Sequence, residues 1–228
     1  MIGIIGAMEI EVEKIKAFLT DATSEVVSGV TFVRGKFCEK DIVVAKCGVG
    51  KVFAGLCAEA MILKYDPELI INVGVAGCLD ESLKIGDIVI ADSVCQHDMD
   101  TSPLGDPVGM LSDINIIKIP ADKKAYELFS ECAKELSLPY SVGTIASGDQ
   151  FVSSSDKKKY IIDNFGAKSC EMEGGAIGHV CYVNNVPFAV LRAMSDGADD
   201  GAKMDFPTFA KLAAENSTKV IKSFLSKF

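Results

Sequence analysis

The stretch Leu69–Gly77, LIINVGVAG, decides the fold class. Its apolar residues run almost without interruption instead of alternating with polar ones, and it closes on the small residues Gly74, Ala76 and Gly77. A strand apolar on both faces is buried on both faces, the situation inside a sheet covered by helices on either side. Working upstream, Ile2–Ala7 (IGIIGA) is a second short apolar run, followed by a helical pattern from about Met8; FVRGKF and DIVVAKCG read as strands around a turn. Gly50–Tyr65 reads as a helix, because Val52, Leu56, Glu59/Ala60 and Leu63 recur at three- and four-residue steps. Downstream, Gly86–Gln96, the segment YSVGTIASGD, Lys168–Glu171 and PFAVLRAMSD read as strands, while Ala121–Leu136, Met172–Asn184 and a long amphipathic Pro207–Lys227 read as helices. This alternation predicts an α/β chain, one domain over residues 1–228, with a mixed but largely parallel central sheet flanked by helices on both faces.

Composition narrows the function classes. A net charge of −9 argues against a nucleic-acid or anionic-membrane partner. No apolar run reaches the roughly 20 residues needed to span a bilayer, and the N-terminus MIGIIGAMEIEVEKIK has no basic segment of the kind that opens a secretory signal. The eight cysteines are irregularly spaced, without a CxxC pair, and there are only two histidines, so neither a metal site nor any other cofactor is expected. Cysteines set in apolar strand and helix patterns pack as small hydrophobes, which fits a reducing cytoplasm.

In open α/β sheets ligands bind beyond the carboxyl ends of the strands. Here those ends are GAMEIE, NVGVAGC, SGDQF, CEMEGG and RAMSDGAD, each carrying glycine, a carboxylate or both. With Met8 at zero and 100° per residue, Val12, Ile15 and Leu19 fall within roughly 40° and Glu11 about 60° away, at the margin of the apolar stripe, whereas Glu9 and Glu13 lie on the other side. Glu11 equally suits a surface residue favoured by the helix dipole. Glu173 aligns with Ile177 and Val180; Gly174, Gly175 and Gly178, poor helix formers, imply close approach of a ligand or of another backbone. Asp196 ends an apolar strand, a position that also suits an N-cap or Asx turn. CGVGK (Cys47–Lys51) opens a helix and could bind an anion there, but it lacks the spacing of a phosphate loop, so a tight turn into the helix is the better reading. Asp98–Asp113 is the one long irregular loop, and loops of that length are often functional.

Taken in order, GIIGAMEIEVE, CGVGKVFAG, IINVGVAG, LKIGDIVIAD, HDMD, SGDQFV, CEMEGGAIGHVC, NVPFAVLRAMSD and DFPTFAKLAA resemble the methylthioadenosine/S-adenosylhomocysteine nucleosidases of the nucleoside phosphorylase superfamily over nearly the whole chain. The resemblance implies a nucleoside phosphorylase-like fold and hydrolysis of an adenine N-glycosidic bond, a place in methionine salvage, and a cytoplasmic homodimer whose Asp98–Met110 loop is shared across subunits. It implies that Asp196, oriented by Ser195, is the acid at adenine N7. It implies that Glu11 activates water near Arg192, and that Glu173 binds the ribose hydroxyls. Phe151 would stack on adenine, the backbone of Val152 would read the base edge, and Met8, Val49, Met172 and Phe206 would line the ribose and alkylthio pocket, with Ala76 and Gly77 also among the substrate-binding residues. The chain departs from the family at Val75, where serine is usual, at Cys78, where glycine is usual, and at Leu104, Asp106 and Val108 in the long loop. Two other readings stand beside this one. A phosphorylase would use phosphate, which calls for converging Arg or Lys groups where the strand ends offer mainly Arg192. A non-catalytic nucleoside binder would be expected to lack one of the working carboxylates.

Overall fold

The computed structural model describes residues 1–228. Ten strands, β1 to β10, and six helices, α1 to α6, follow one another along the chain. The strands are β1 (Ile2–Gly6), β2 (Thr20–Val27), β3 (Val30–Phe37), β4 (Lys40–Lys46), β5 (Leu69–Cys78), β6 (Ile88–Gln96), β7 (Ile119–Pro120), β8 (Tyr140–Ser147), β9 (Ser169–Glu171) and β10 (Phe188–Asp196). The helices are α1 (Glu9–Ala17), α2 (Lys51–Tyr65), α3 (Lys123–Glu135), α4 (Ser155–Phe165), α5 (Gly174–Val183) and α6 (Ala202–Lys227). The strands form one sheet in the order β10-β6-β8-β9-β5-β1-β4-β3-β2, with the short β7 paired to β6 beside this path, and an additional β10–β5 pairing closes part of it into a ring.

All of Leu69–Cys78 is buried, as the unbroken apolar run requires. This strand is also where the sheet forks. Along one edge it pairs with β10 throughout. Along the other, Leu69–Asn72 pair with β1, and then Gly77 and Cys78 pair with Cys170 and Ser169 of β9. The small residues at Gly74–Gly77 let β5 leave one neighbour and take up another, and the gap between the ends of β1 and β9 becomes a crevice. Apolar side chains then fill both faces: α2 and α5 cover one, with Cys57, Met61 and Ile177 in the core, and α1, α3 and α6 cover the other, with Ile15, Phe129 and Phe224.

Several expectations are revised. The sheet is evenly mixed, not largely parallel: five of its ten pairings are antiparallel. The strand β2 and the helix α4 lack a clear apolar period and were not expected; β2 is an exposed edge strand, and α4 is set by its Ser154 N-cap, whose side chain accepts from Lys157 N–H. Helix α6 begins at Ala202, not Pro207, so proline sits in its second turn, beyond the first four unpaired N–H groups, and cannot donate the i→i−4 hydrogen bond to the Lys203 carbonyl. The apolar stripe of α2 faces outward. Val52 is 80 % exposed and Leu63 77 %, while the buried face is Ala54, Cys57, Ala58 and Met61, small residues that let the helix lie close to the sheet and to α5. Of the two readings of the α5 glycines, close approach to the sheet is the one observed: a Cβ on Gly178 would lie 2.7 Å from Val94 Cγ2, and one on Gly175 would lie 2.8 Å from the Cys95 carbonyl oxygen and 2.9 Å from Ser147 Oγ.

Alanine raises helix propensity over glycine by up to about 1 kcal/mol. At position 175 the clash with the Cys95 carbonyl reverses that sign, so Gly175→Ala is expected to destabilise the fold by about 1–3 kcal/mol, measured by chemical denaturation.

Candidate functional site

The crevice at the fork of β5 is a cavity of about 630 Å³ including its open mouth, within the size range of small-molecule sites. Glu11, Glu173 and Asp196 line it among mostly apolar neighbours, with the carboxylate of Glu171 at its border.

Glu11 stands in the first turn of α1 and is buried. Its Oε2 accepts from the N–H groups of Ala7 (2.7 Å) and Met8 (2.8 Å), which closes the helix start, and its Oε1 accepts from Val75 N–H at 3.0 Å, across the gap to β5. A surface glutamate at a helix N-terminus would have none of that last contact. Burial raises its pKa, against the lowering influence of Arg192 and the three N–H donors. Gly74 makes room for it, since a Cβ there would lie 2.6 Å from Glu11 Oε1.

Glu173 is the N-cap residue of α5. Its Oε1 accepts from Gly50 N–H at 2.9 Å, so the CGVGK turn, with Gly50 at φ +100°, already holds an anion at the start of α2: a carboxylate of this chain. Burial and the neighbouring charge of Glu171 push Glu173 up to about 7. Asp196 closes β10 after a register shift between Met194 and Asp196, an irregularity of the kind that re-aims a side chain at a sheet end. Ser195 Oγ donates to its Oδ2 at 2.8 Å and Ala198 N–H to its Oδ1 at 2.9 Å. The Asx-turn geometry is thus present, yet the residue is buried, and burial raises its pKa above the ordinary aspartate value despite these donors.

Met8, Val49, Ala76, Gly77, Phe151, Val152, Met172, Ser195 and Phe206 come together with Glu11, Glu173 and Asp196 around the cavity. Phe151, 47 % exposed, meets Phe206 edge-on with ring centroids 5.6 Å apart. Arg192 is the exception. It lies behind the wall, fully buried, with Nη2 donating to Asn72 Oδ1 at 2.5 Å and to Glu171. It does not face the pocket, because Glu171 claims it from behind. Glu171 and Gln150 border the cavity and were not anticipated. A signal for Glu171 existed, since an arginine in the apolar run FAVLRAM must find a buried partner. Of the altered loop, Leu104, Asp106 and Val108 do not reach the cavity; Asp106 instead ties Thr101 and Ser112 together. Val75 and Cys78 are buried, Val75 on the cavity wall and Cys78 with its thiol on the Asp80 carbonyl. No three His, Cys, Asp or Glu side chains converge in metal-binding geometry.

A forked, partly closed α/β sheet with buried carboxylates at its strand ends defines a class, and the comparisons agree on it: the family model of the phosphorylase superfamily matches residues 1–226. The 5′-methylthioadenosine/S-adenosylhomocysteine nucleosidase of Staphylococcus aureus (strain JH9) is 39% identical over 228 residues, the full length of both chains. The Neisseria meningitidis nucleosidase of the same name, solved with methylthio-immucillin-A, superposes with a TM-score of 0.97 at 31% identity, covering 100% of this chain and 99% of that one. A futalosine hydrolase of Helicobacter pylori superposes with a TM-score of 0.96 at 36% identity, covering 100% and 97%. The chain belongs to the methylthioadenosine/S-adenosylhomocysteine nucleosidase family of that superfamily, and it is a purine nucleosidase, an N-glycosyl hydrolase.

The Gly74–Glu11 contact yields a test of the geometry. Gly74→Ala forces Glu11 Oε1 away from its 2.6 Å approach, and misplacement on the ångström scale costs on the order of 10²-fold in rate. Nucleosidase activity is expected to fall by about that factor with the circular dichroism spectrum unchanged.

Proposed function

We propose that this enzyme hydrolyses the N-glycosidic bond of 5′-methylthioadenosine and S-adenosylhomocysteine, releasing adenine and the thioribose product. One observation carries this reading: besides Glu171, which is paired with Arg192, three buried carboxylates line one apolar pocket, and each has a different set of partners. Breaking the bond leaves positive charge on the ribose and negative charge on adenine. Asp196, raised by burial and steadied by Ser195, is suited to hold a proton and give it to adenine N7. Glu11, bound through both oxygens to fixed N–H groups, is held in place to orient and deprotonate water. Glu173, with only one hydrogen-bond donor on Oε1, keeps Oε2 free to accept from the ribose hydroxyls and to offset the sugar's charge. The division of labour is that of paired carboxylates in glycoside hydrolysis. Phe151 and Phe206 offer aromatic faces for the base, and Met8, Val49 and Met172 offer polarisable, apolar surface for a thioether.

Water is favoured over phosphate as the nucleophile because no lysine or arginine lines the cavity, and the one nearby cation is committed to Glu171. The same carboxylates count against a purely binding role.

We further read the chain as one nucleosidase domain acting as a homodimer, without an organic cofactor or metal. The outward face of α2 exposes Val52, Phe53, Leu56 and Leu63, and Val49 links this patch to the cavity mouth. Lys51 ties the same helix start to Asp98, the first residue of the long loop, at 2.7 Å. A second copy seated there would cover an apolar patch of the kind that marks protein contacts. No helix is long and apolar enough to cross a membrane; seven of the eight cysteines are buried free thiols, which supports a reducing cytoplasm, and the thio-nucleoside substrates named for its relatives support a place in methionine salvage.

Adenine release is expected to proceed fully in phosphate-free buffer; strict dependence on phosphate contradicts the hydrolytic reading. Asp196→Asn is expected to lose about 10²–10⁴-fold in kcat with the fold intact. A side-by-side comparison of methylthioadenosine, S-adenosylhomocysteine, 5′-deoxyadenosine and aminodeoxyfutalosine fixes the 5′ preference, and fastest turnover of the last would replace the thio-nucleoside assignment. For the assembly, light scattering is expected to give a dimer, and Val52→Glu with Leu63→Glu to give a monomer.

A further inference from the structure

Four ionisable side chains meet behind the ribose end of the cavity, and only one is a cation. Glu11 comes from α1, Glu171 from β9, Glu173 from the start of α5 and Arg192 from β10; Asn72 of β5, Ser147 of β8 and the Gly50 N–H at the entry to α2 face them as neutral partners. Glu171 is saturated. Its oxygens accept from Ser147 Oγ, from Glu173 N–H at 3.0 Å, from Gly174 N–H at 2.8 Å and from Arg192 Nη2. Although it borders the cavity, its side chain is 2% exposed. Glu173 presents the opposite picture, one backbone donor and a 3.9 Å separation between its Oε2 and the same Arg192 Nη2.

We propose that Glu171 is a positioning residue: by taking up the charge of Arg192 and capping α5, it keeps the guanidinium from drawing Glu173 out of the ribose end of the pocket. The inference rests on the reading of Glu173 as the ribose-binding carboxylate. With Glu171 neutral, Glu173 becomes the nearest anion to Arg192 Nη2, at 3.9 Å, and would turn toward it. Capping adds a second constraint. The two N–H groups that Glu171 holds belong to Glu173 and Gly174, so it fixes the backbone from which Glu173 projects.

The charges agree with this geometry. Burial would raise Glu171, but the Arg192 guanidinium, Ser147 and the Gly174 N–H outweigh it and hold the carboxyl below its usual range. Burial and then the Glu171 charge raise Glu173 to about 7, while Arg192 pulls the other way. Removing the charge at 171 deletes an influence that raises Glu173 and leaves Arg192 to lower it, so the midpoint of Glu173 moves to lower pH.

The test uses a 7-deazaadenine nucleoside bearing a 5′-thioether, which has no N7 for Asp196 to address. Its affinity is measured by calorimetry as a function of pH. In the wild-type enzyme affinity is expected to fall as pH drops through about 7, where Glu173 gains a proton and can no longer accept from both hydroxyls. In Glu171→Gln that fall is expected to move down by about one pH unit or more, while Glu171→Asp, which keeps the charge, retains the wild-type midpoint. A merely structural role lowers affinity equally at every pH, so an unmoved midpoint in Glu171→Gln overturns the proposal, as does an Asp variant displaced as far as the Gln variant. A second measurement needs no variant: carboxyl ¹³C NMR of wild-type enzyme labelled on glutamate. Glu171 is expected to stay ionised throughout the range in which Glu173 titrates; a Glu171 signal that titrates with Glu173 or above it overturns the proposal. Failure of wild-type enzyme to bind the nucleoside at any pH would instead sink the functional reading, and the NMR titration would still decide the role of Glu171.

Discussion

The buried guanidinium of Arg192 is the constraint on which the site depends. An unpaired charge at that depth is strongly unfavourable, and breaking a buried pair typically costs about 3–5 kcal/mol. Its partners are therefore not optional, and they come from separate parts of the chain: Asn72 from β5 and Glu171 from β9. Satisfying one cation draws together the strands that border the crevice. The same cation lowers the cost of burying Glu11 and Glu173, whose pKa values burial alone would push higher still. Raised carboxyl pKa values gathered in a cleft are what acid–base chemistry near neutral pH requires.

The fork in β5 supplies the space. Where the strand passes from β1 to β9, Gly74 and Gly77 leave room that side chains would fill, and Glu11 Oε1 and Asp196 Oδ1 stand where their Cβ atoms would be, 2.6 and 3.0 Å away. Backbone shape and carboxylate position are thus one feature of the fold. The helices reinforce it from outside: α1 and α5 each start at the crevice and carry a pocket-lining glutamate in or before their first turn, and the N–H groups there are taken by carboxylates of this chain, Met8 N–H by Glu11 and the N–H groups of Glu173 and Gly174 by Glu171.

Much of this was legible in the sequence. Unbroken apolar strands between amphipathic helices gave the α/β class, and helical phase placed Glu11 and Glu173 at apolar margins. The ordered segments identified the family and pointed to most of the residues around the cavity, but they placed Arg192 there too and passed over Glu171 and Gln150. Less legible were elements without a period, β2 and α4, and the orientation of α2, whose large apolar residues look outward while alanine and cysteine face the sheet. A pattern reports which face is apolar; it does not report whether the partner is this chain or another.

The sequence by itself determined which residues are apolar on both sides, where glycine permits a sharp turn, and which acids stand at strand ends, because these depend on local spacing alone. Only the tertiary structure decided that Arg192 turns away from the cavity toward Glu171, that Glu173 rather than a ligand occupies the Gly50 N–H, and that the sheet closes through β10. Each of these depends on distances between residues far apart in the chain, and on how a limited supply of buried charge is shared among them.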